Sequence, residues 1–193
     1  MQRICVYCGS NPGRQRDYML AAQALGRLLV KRRMGLVYGG GSVGLMGVIA
    51  DTVLAGGGEA IGVIPTSLRK RELAHDGLSS LYLVDTMHQR KAMMERLADA
   101  FIILPGGFGT LDETFEILTW AQLGMHQKPI GLLNVNNYFD SLLAFMGHST
   151  AEGFVHPEQL EAVLVDTDPE RLIERFADYQ PMPGKRWLKL TEA

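Results

Sequence analysis

The chain has 193 residues, 47% hydrophobic and 21% charged, with a formal net charge of −2. That length buries roughly 70% of the surface of the unfolded chain, and the composition is that of an ordinary soluble globular protein. The charge balance excludes a general pull toward nucleic acid or anionic lipid, no apolar run reaches membrane-spanning length, and no signal-peptide pattern precedes the first strand-like run, so a cytoplasmic protein is expected.

Short apolar strands alternate with helical patterns along the chain. Arg3–Cys8 reads as a strand leading through Gly9-Ser10-Asn11-Pro12-Gly13 to a helix over Tyr18–Arg32. Gly35–Tyr38 leads through Gly39-Gly40-Gly41-Ser42-Val43-Gly44 to a helix ending near Gly56. Ala60–Ile64 is followed by a polar segment, Thr66–Gly77, a strand over Leu81–Val84 and a helix from Met87 to Ala98. Ala100–Leu104 leads through a third glycine-rich loop to a helix over Phe115–Gly124. Strands over Ile130–Asn134 and Ala162–Val165 alternate with helices over Tyr138–Met146 and Pro169–Tyr179. This alternation predicts an α/β fold, a single-domain, doubly wound parallel sheet with helices on both faces. The domain is expected over 1–180, with 181–193 as a tail. All three glycine-rich loops would fall at the carboxyl edge of the sheet, where such folds collect ligands.

Two cysteines, Cys5 and Cys8, have the spacing of a redox pair. Cys5 lies inside a strand-like run, where residues three apart face opposite sides, so two reduced thiols are expected. The five histidines form no cluster, and no metal is expected.

The loop Pro105-Gly106-Gly107-Phe108-Gly109-Thr110-Leu111-Asp112-Glu113 is the most informative stretch. Its glycines allow close backbone approach to a ligand, and a helix start beside them offers N–H groups and a positive dipole end to a phosphate. Thr110 and Glu113 have capping-box spacing, so Glu113 reads either as a cap or as a catalytic carboxylate kept ionised by the dipole. Gly39, Gly41 and Gly44 match a dinucleotide fingerprint without the acidic residue that NAD would want, leaving ligand contact at Gly40 and Gly41 beside a plain tight turn. Gly40, Ser42 and Gly44 also spell G-x-S-x-G, but nothing marks a histidine partner. In Met87-His88-Gln89-Arg90-Lys91, two cations sit near a helix start, where the dipole disfavours them. A functional pair and a solvated basic turn are both open readings of that segment.

Together, Met87-His88-Gln89-Arg90-Lys91 and Pro105–Glu113 resemble the paired signature of the LOG (Lonely Guy) family, whose relatives often carry an older lysine decarboxylase label. The similarity extends over Cys5–Ser10, Val37–Ser42, Thr119–Gly124 and Gly131–Asn134. It implies a homodimeric Rossmann-like hydrolase without cofactor, cleaving the N-glycosidic bond of AMP or an N6-modified AMP. On this chain the resemblance implies Arg90 and Glu113 as the catalytic pair. It implies substrate contacts from Glu72, Met87, Lys91, Gly106, Gly107, Phe108, Gly109, Thr110, Leu111, Asp112 and Thr119, and the loops add Gly9, Ser10, Gly40 and Gly41. A non-catalytic nucleotide-binding module and a pyridoxal-phosphate-dependent lysine decarboxylase are the competing functions; no lysine here has an independent Schiff-base signature.

Overall fold

Apolar runs too short for helices, flanked by glycines and polar turns, pair here as strands buried on both faces. The computed structural model describes residues 1–69 and 74–181. Its strands are β1 (Arg3–Tyr7), β2 (Gly35–Tyr38), β3 (Ala60–Pro65), β4 (Ser80–Val84), β5 (Ala100–Ile103), β6 (Ile130–Leu133) and β7 (Val163–Asp166). They form one sheet in the order β4-β3-β2-β1-β5-β6-β7, with every pairing parallel. The helices are α1 (Arg16–Lys31), α2 (Gly44–Ala55), α3 (Met87–Leu97), α4 (Phe108–Gln122), α5 (Asp140–Ala151), the short α6 (Pro157–Glu161) and α7 (Pro169–Ala177).

Alternation along β1 divides the core in two. Ile4, Val6 and Cys8 join the cluster built on α1, α2 and α7, while Cys5 and Tyr7 join the one built with α3, α4 and α5. Helices therefore cover both faces, and Cys5 and Cys8 lie on opposite sides as separate buried thiols. The chain runs outward from β1 to β4, then α3 carries it back to place β5 on the other side of β1. The strand order thus reverses between β1 and β5, and the loops leaving those two strands open a crevice at the carboxyl edge.

Two elements differ from the sequence reading. The helix expected over Phe115–Gly124 begins at Phe108, and α6 is an addition between α5 and β7. The predicted tail 181–193 lies outside the described residues except for its first residue.

The loop after β2 packs against the loop after β1. Gly44 sits at φ +61°, and a Cβ there would overlap the backbone of Ser10. The neighbouring Leu45 N–H donates to the Gly9 carbonyl at 3.0 Å. A Gly44→Ala variant therefore meets both a disfavoured left-handed backbone and a backbone clash. Its expected loss of about 2–4 kcal/mol lowers Tm by roughly 4–15 °C in a thermal melt followed by circular dichroism.

Candidate active site

The crevice between β1 and β5 opens into a cavity of about 510 Å³, within the roughly 300–1,000 Å³ range of small-molecule sites. The loops after β1, β2 and β5 all contribute, through Gly9–Gly13, Gly39 and Pro105–Thr110. A hydrogen bond from Gly9 N–H to the Pro105 carbonyl, at 3.0 Å, ties the first loop to the third. Helices α3 and α4 supply the charged walls, with Arg90 from one and Asp112 and Glu113 from the other.

The start of α4 settles the capping question. Gly107 is the N-cap, in extended backbone with φ −93° and ψ −154°, and its carbonyl accepts from Leu111 N–H at 3.1 Å. Thr110 is already inside the first turn, and its side chain packs where a Cβ on Gly106 would stand. Glu113 lies in the second turn, beyond reach of the first N–H groups, so the capping-box reading fails. The glycines allow this earlier start: a helix can begin at Gly107 without any capping side chain. The dipole also acts on Glu113 less than the sequence reading has it, because its influence falls off within the first turn. Glu113 instead lines the cavity, and its charge adds to burial in pushing the Cys8 thiol upward.

Helix α3 is capped by Thr86, whose hydroxyl accepts from Gln89 N–H at 3.1 Å, while the Gln89 side chain accepts from Asp85 N–H at 2.7 Å. This fixes the helix start before the basic pair. Arg90 and Lys91 are buried, 4% and 7% exposed, so the solvated basic turn is excluded. Arg90 donates from Nη2 to the Gly39 carbonyl at 2.8 Å and from Nη1 toward the Met87 sulfur at 3.8 Å. A Cβ on Gly39 would overlap that guanidinium nitrogen. Gly39 is therefore the seat of Arg90.

Lys91 faces the other way, toward α4. Its Nζ bonds Asp112 at 3.1 Å and Glu116 at 3.0 Å, clasping the helix of Arg90 to the helix of Glu113. Burial pulls the Lys91 ammonium pKa down, but the bonds to Glu116 and Asp112 more than offset it and leave it raised.

Met87, Arg90, Gly106, Gly107, Phe108, Gly109, Thr110, Asp112, Glu113, Gly9 and Ser10 come together around the cavity. Lys91, Leu111, Thr119, Gly40 and Gly41 are not among its lining residues. Gly40 and Gly41 are engaged by the chain itself: the Gly40 carbonyl accepts from His75 N–H at 2.9 Å, and Gly41 bridges Ala74. Ser42 of that loop is exposed and is not among the lining residues, whereas Gly39 is. Glu72 lies outside the described residues. Sequence reasoning missed Gly39, Asn11, Met46, Met94, Tyr18 and Tyr138, which also line the cavity. For Gly39 the glycine run was a signal, read for a ligand rather than for a side chain.

The family described as "Possible lysine decarboxylase" matches residues 46–176. The chain is 50% identical over 98% of its length, and 78% of the relative's, to the "Probable cytokinin riboside 5′-monophosphate phosphoribohydrolase LOGL5" of Oryza sativa subsp. japonica. It is 49% identical over 93% of its length, and 83% of the relative's, to the cytokinin riboside 5′-monophosphate phosphoribohydrolase LOG7 of Arabidopsis thaliana. The chain belongs to the LOG family. A more distant likeness, at 20% identity, is to the molybdenum cofactor carrier protein of Chlamydomonas reinhardtii, with TM-score 0.69 over 92% of this chain and 97% of that one. That likeness concerns the fold alone.

The LOG-family cavity bears on its older label. Among the described residues no lysine lines it, and Lys91 is held protonated between two carboxylates. A lysine forming a Schiff base needs its amine neutral, usually through a depressed pKa. Cys5 and Cys8 are both buried, and burial with the Glu113 charge raises both thiols, so neither is a ready nucleophile.

The seat of Arg90 in this LOG-family site is open to a double-mutant test. Gly39→Ala overpacks the guanidinium, with an expected loss of about 1–3 kcal/mol and a Tm lower by roughly 2–12 °C. In an Arg90→Ala background the same substitution is expected to lose at least half of that effect, because the clashing group is gone. Equal losses in the two backgrounds, measured by denaturant unfolding, would show that Gly39 is needed for another reason.

Proposed function

We propose that this chain hydrolyses the N-glycosidic bond of AMP or an N6-modified AMP, releasing the free base and ribose 5-phosphate. The observation that carries the reading is the convergence of a buried arginine and a carboxylate on one cavity whose rim is a helix N-terminus. The relatives named as phosphoribohydrolases support it at half-identity across nearly the whole chain.

The N–H groups of the first turn of α4 have no carbonyl behind them within the helix, and they suit the 5′-phosphate. Fixing that phosphate sets the ribose against α4. As the C1′–N9 bond breaks, its electron pair passes to the base and positive charge builds on the sugar, an oxocarbenium-like state. Glu113 stabilises that charge and takes a proton from the water that adds to C1′. In net, one proton of the water ends on the base. Arg90, always charged, is no acid. It anchors the substrate and steers the Glu113 carboxylate by a charge-assisted bond. Met46, Met87 and Met94 form a deformable apolar wall that suits a purine and its substituent.

Dimerisation through α4 is part of this reading. Phe108 is 93% exposed, and Phe115 and Leu123 continue an apolar stripe at helical spacing, with Met125 beside it. Thr119 lies on the same stripe, away from the cavity of its own chain, so it reaches a nucleotide only across a junction with a second copy. The wild type is expected to run as two chains in light-scattering chromatography, and Phe115→Glu as one.

Turnover is tested by following base release from AMP, N6-isopentenyl-AMP, GMP and CMP by chromatography. Glu113→Gln should lower kcat by at least roughly a hundredfold while Tm stays within about 2 °C. Affinity without turnover in the wild type would favour a binding module instead.

A further inference from the structure

Tyr138 stands at the lip of the cavity, and the chain spends several specific features on holding it there. The two residues before it, Asn136 and Asn137, both have positive φ, 51° and 59°. Asparagine tolerates that backbone better than other residues with side chains, but two in succession are uncommon. The turn is pinned from three sides. Asn136 Nδ2 donates to Gln15 at 2.6 Å and to Asp17 at 2.7 Å, at the start of α1. Buried Asn134 accepts from Phe139 N–H and donates to Asp140, both at 2.8 Å. The Tyr138 ring then packs edge-on against Tyr18 and Phe139, with centroids 5.7 and 5.0 Å away.

All of this aims one hydroxyl. The Tyr138 O–H donates to the Gly106 carbonyl at 2.6 Å. No peptide bond in the described chain is cis, so the Gly106–Gly107 unit is planar with its C=O and N–H pointing opposite ways. Holding the carbonyl toward Tyr138 turns the Gly107 N–H away from it. Without a side chain on either glycine, that peptide has few other restraints against rotation. Gly107 immediately precedes α4, so its N–H belongs to the cluster of donors at the helix start.

We propose that Tyr138 is a positioning residue for phosphate binding: its hydroxyl orients the Gly106–Gly107 peptide so that the Gly107 N–H joins the donors that receive the 5′-phosphate. The inference rests on the nucleotide-hydrolase reading for the identity of the anion. Tyr138 does not touch the bond that breaks, so its effect belongs in ground-state and transition-state binding alike.

Tyr138→Phe keeps the ring contacts and removes only the hydroxyl. Losing one such hydrogen bond corresponds to roughly a three- to tenfold change in affinity. The KM for AMP and the Kd for ribose 5-phosphate, by calorimetry, should both rise about fivefold. The kcat should move less than twofold, and inhibition by adenosine, which lacks the phosphate, should not change. An equal loss for adenosine, or a fall in kcat with KM unchanged, would overturn the proposal. So would identical ribose 5-phosphate binding by variant and wild type. If the wild type releases no base from any nucleotide yet binds ribose 5-phosphate more tightly than Tyr138→Phe, the positioning role stands and the hydrolase reading falls.

Discussion

A guanidinium buried at the carboxyl edge of a parallel sheet governs this molecule. Taking an unpaired charge out of water is expensive enough that the fold must supply partners for it. The Gly39 carbonyl, at the end of β2, is one, and the carboxylate of Glu113 shares the cavity that Arg90 lines. Three elements are thereby committed. The chain at Gly39 must lack a side chain, α3 must be capped at Thr86 to present Arg90 on its inner face, and α4 must bring its second turn alongside. The clasp from Lys91 to Asp112 and Glu116 fixes the last of these relations. It joins α3 and α4 with a cation that does not line the cavity, leaving Arg90 as the positive charge there among the described residues.

The sheet was legible in the sequence because buried parallel strands are continuous apolar runs, and Ala100–Leu104 or Ile61–Ile64 can hardly be anything else at that length. Alternation even assigned Cys5 and Cys8 to opposite faces. The start of α4 was not legible. Thr110 and Glu113 stand at capping-box spacing, a strong local signal, whereas the actual cap, Gly107, has no side chain with which to announce itself. The pattern matched a rule that the backbone had already satisfied one turn earlier.

The glycine run after β2 failed differently. Spacing says that a Cβ is unwelcome at Gly39 and Gly44, but not what excludes it. At Gly39 the occupant is the guanidinium of Arg90, from a helix far along the chain, and at Gly44 it is the backbone of Ser10. Both are tertiary neighbours, invisible to any window of sequence. Tyr138 is the same case: the carbonyl that its hydroxyl serves belongs to a loop after another strand.

The two labels attached to this family ask for different chemistry from the same cradle. A phosphate on a helix N-terminus serves pyridoxal phosphate as well as a nucleotide, so the glycine loop cannot choose between them. What chooses is the charge of the groups facing it. Schiff-base chemistry needs an uncharged amine within reach of the cofactor, whereas Lys91, which does not line the cavity, spends its ammonium on Asp112 and Glu116. Glycosidic cleavage needs a carboxylate beside a sugar acquiring positive charge, with the phosphate held far enough away to leave room for the ribose. Glu113 stands in the second turn of α4, beyond the first N–H groups, an arrangement that suits the proposed reading. A cap at the helix start would not, because the carboxylate would then compete with the phosphate for the same N–H groups. Beginning α4 at Phe108 therefore puts Glu113 a turn away from the helix start, and under the proposed reading that separation leaves the first N–H groups to the phosphate and the carboxylate to the sugar.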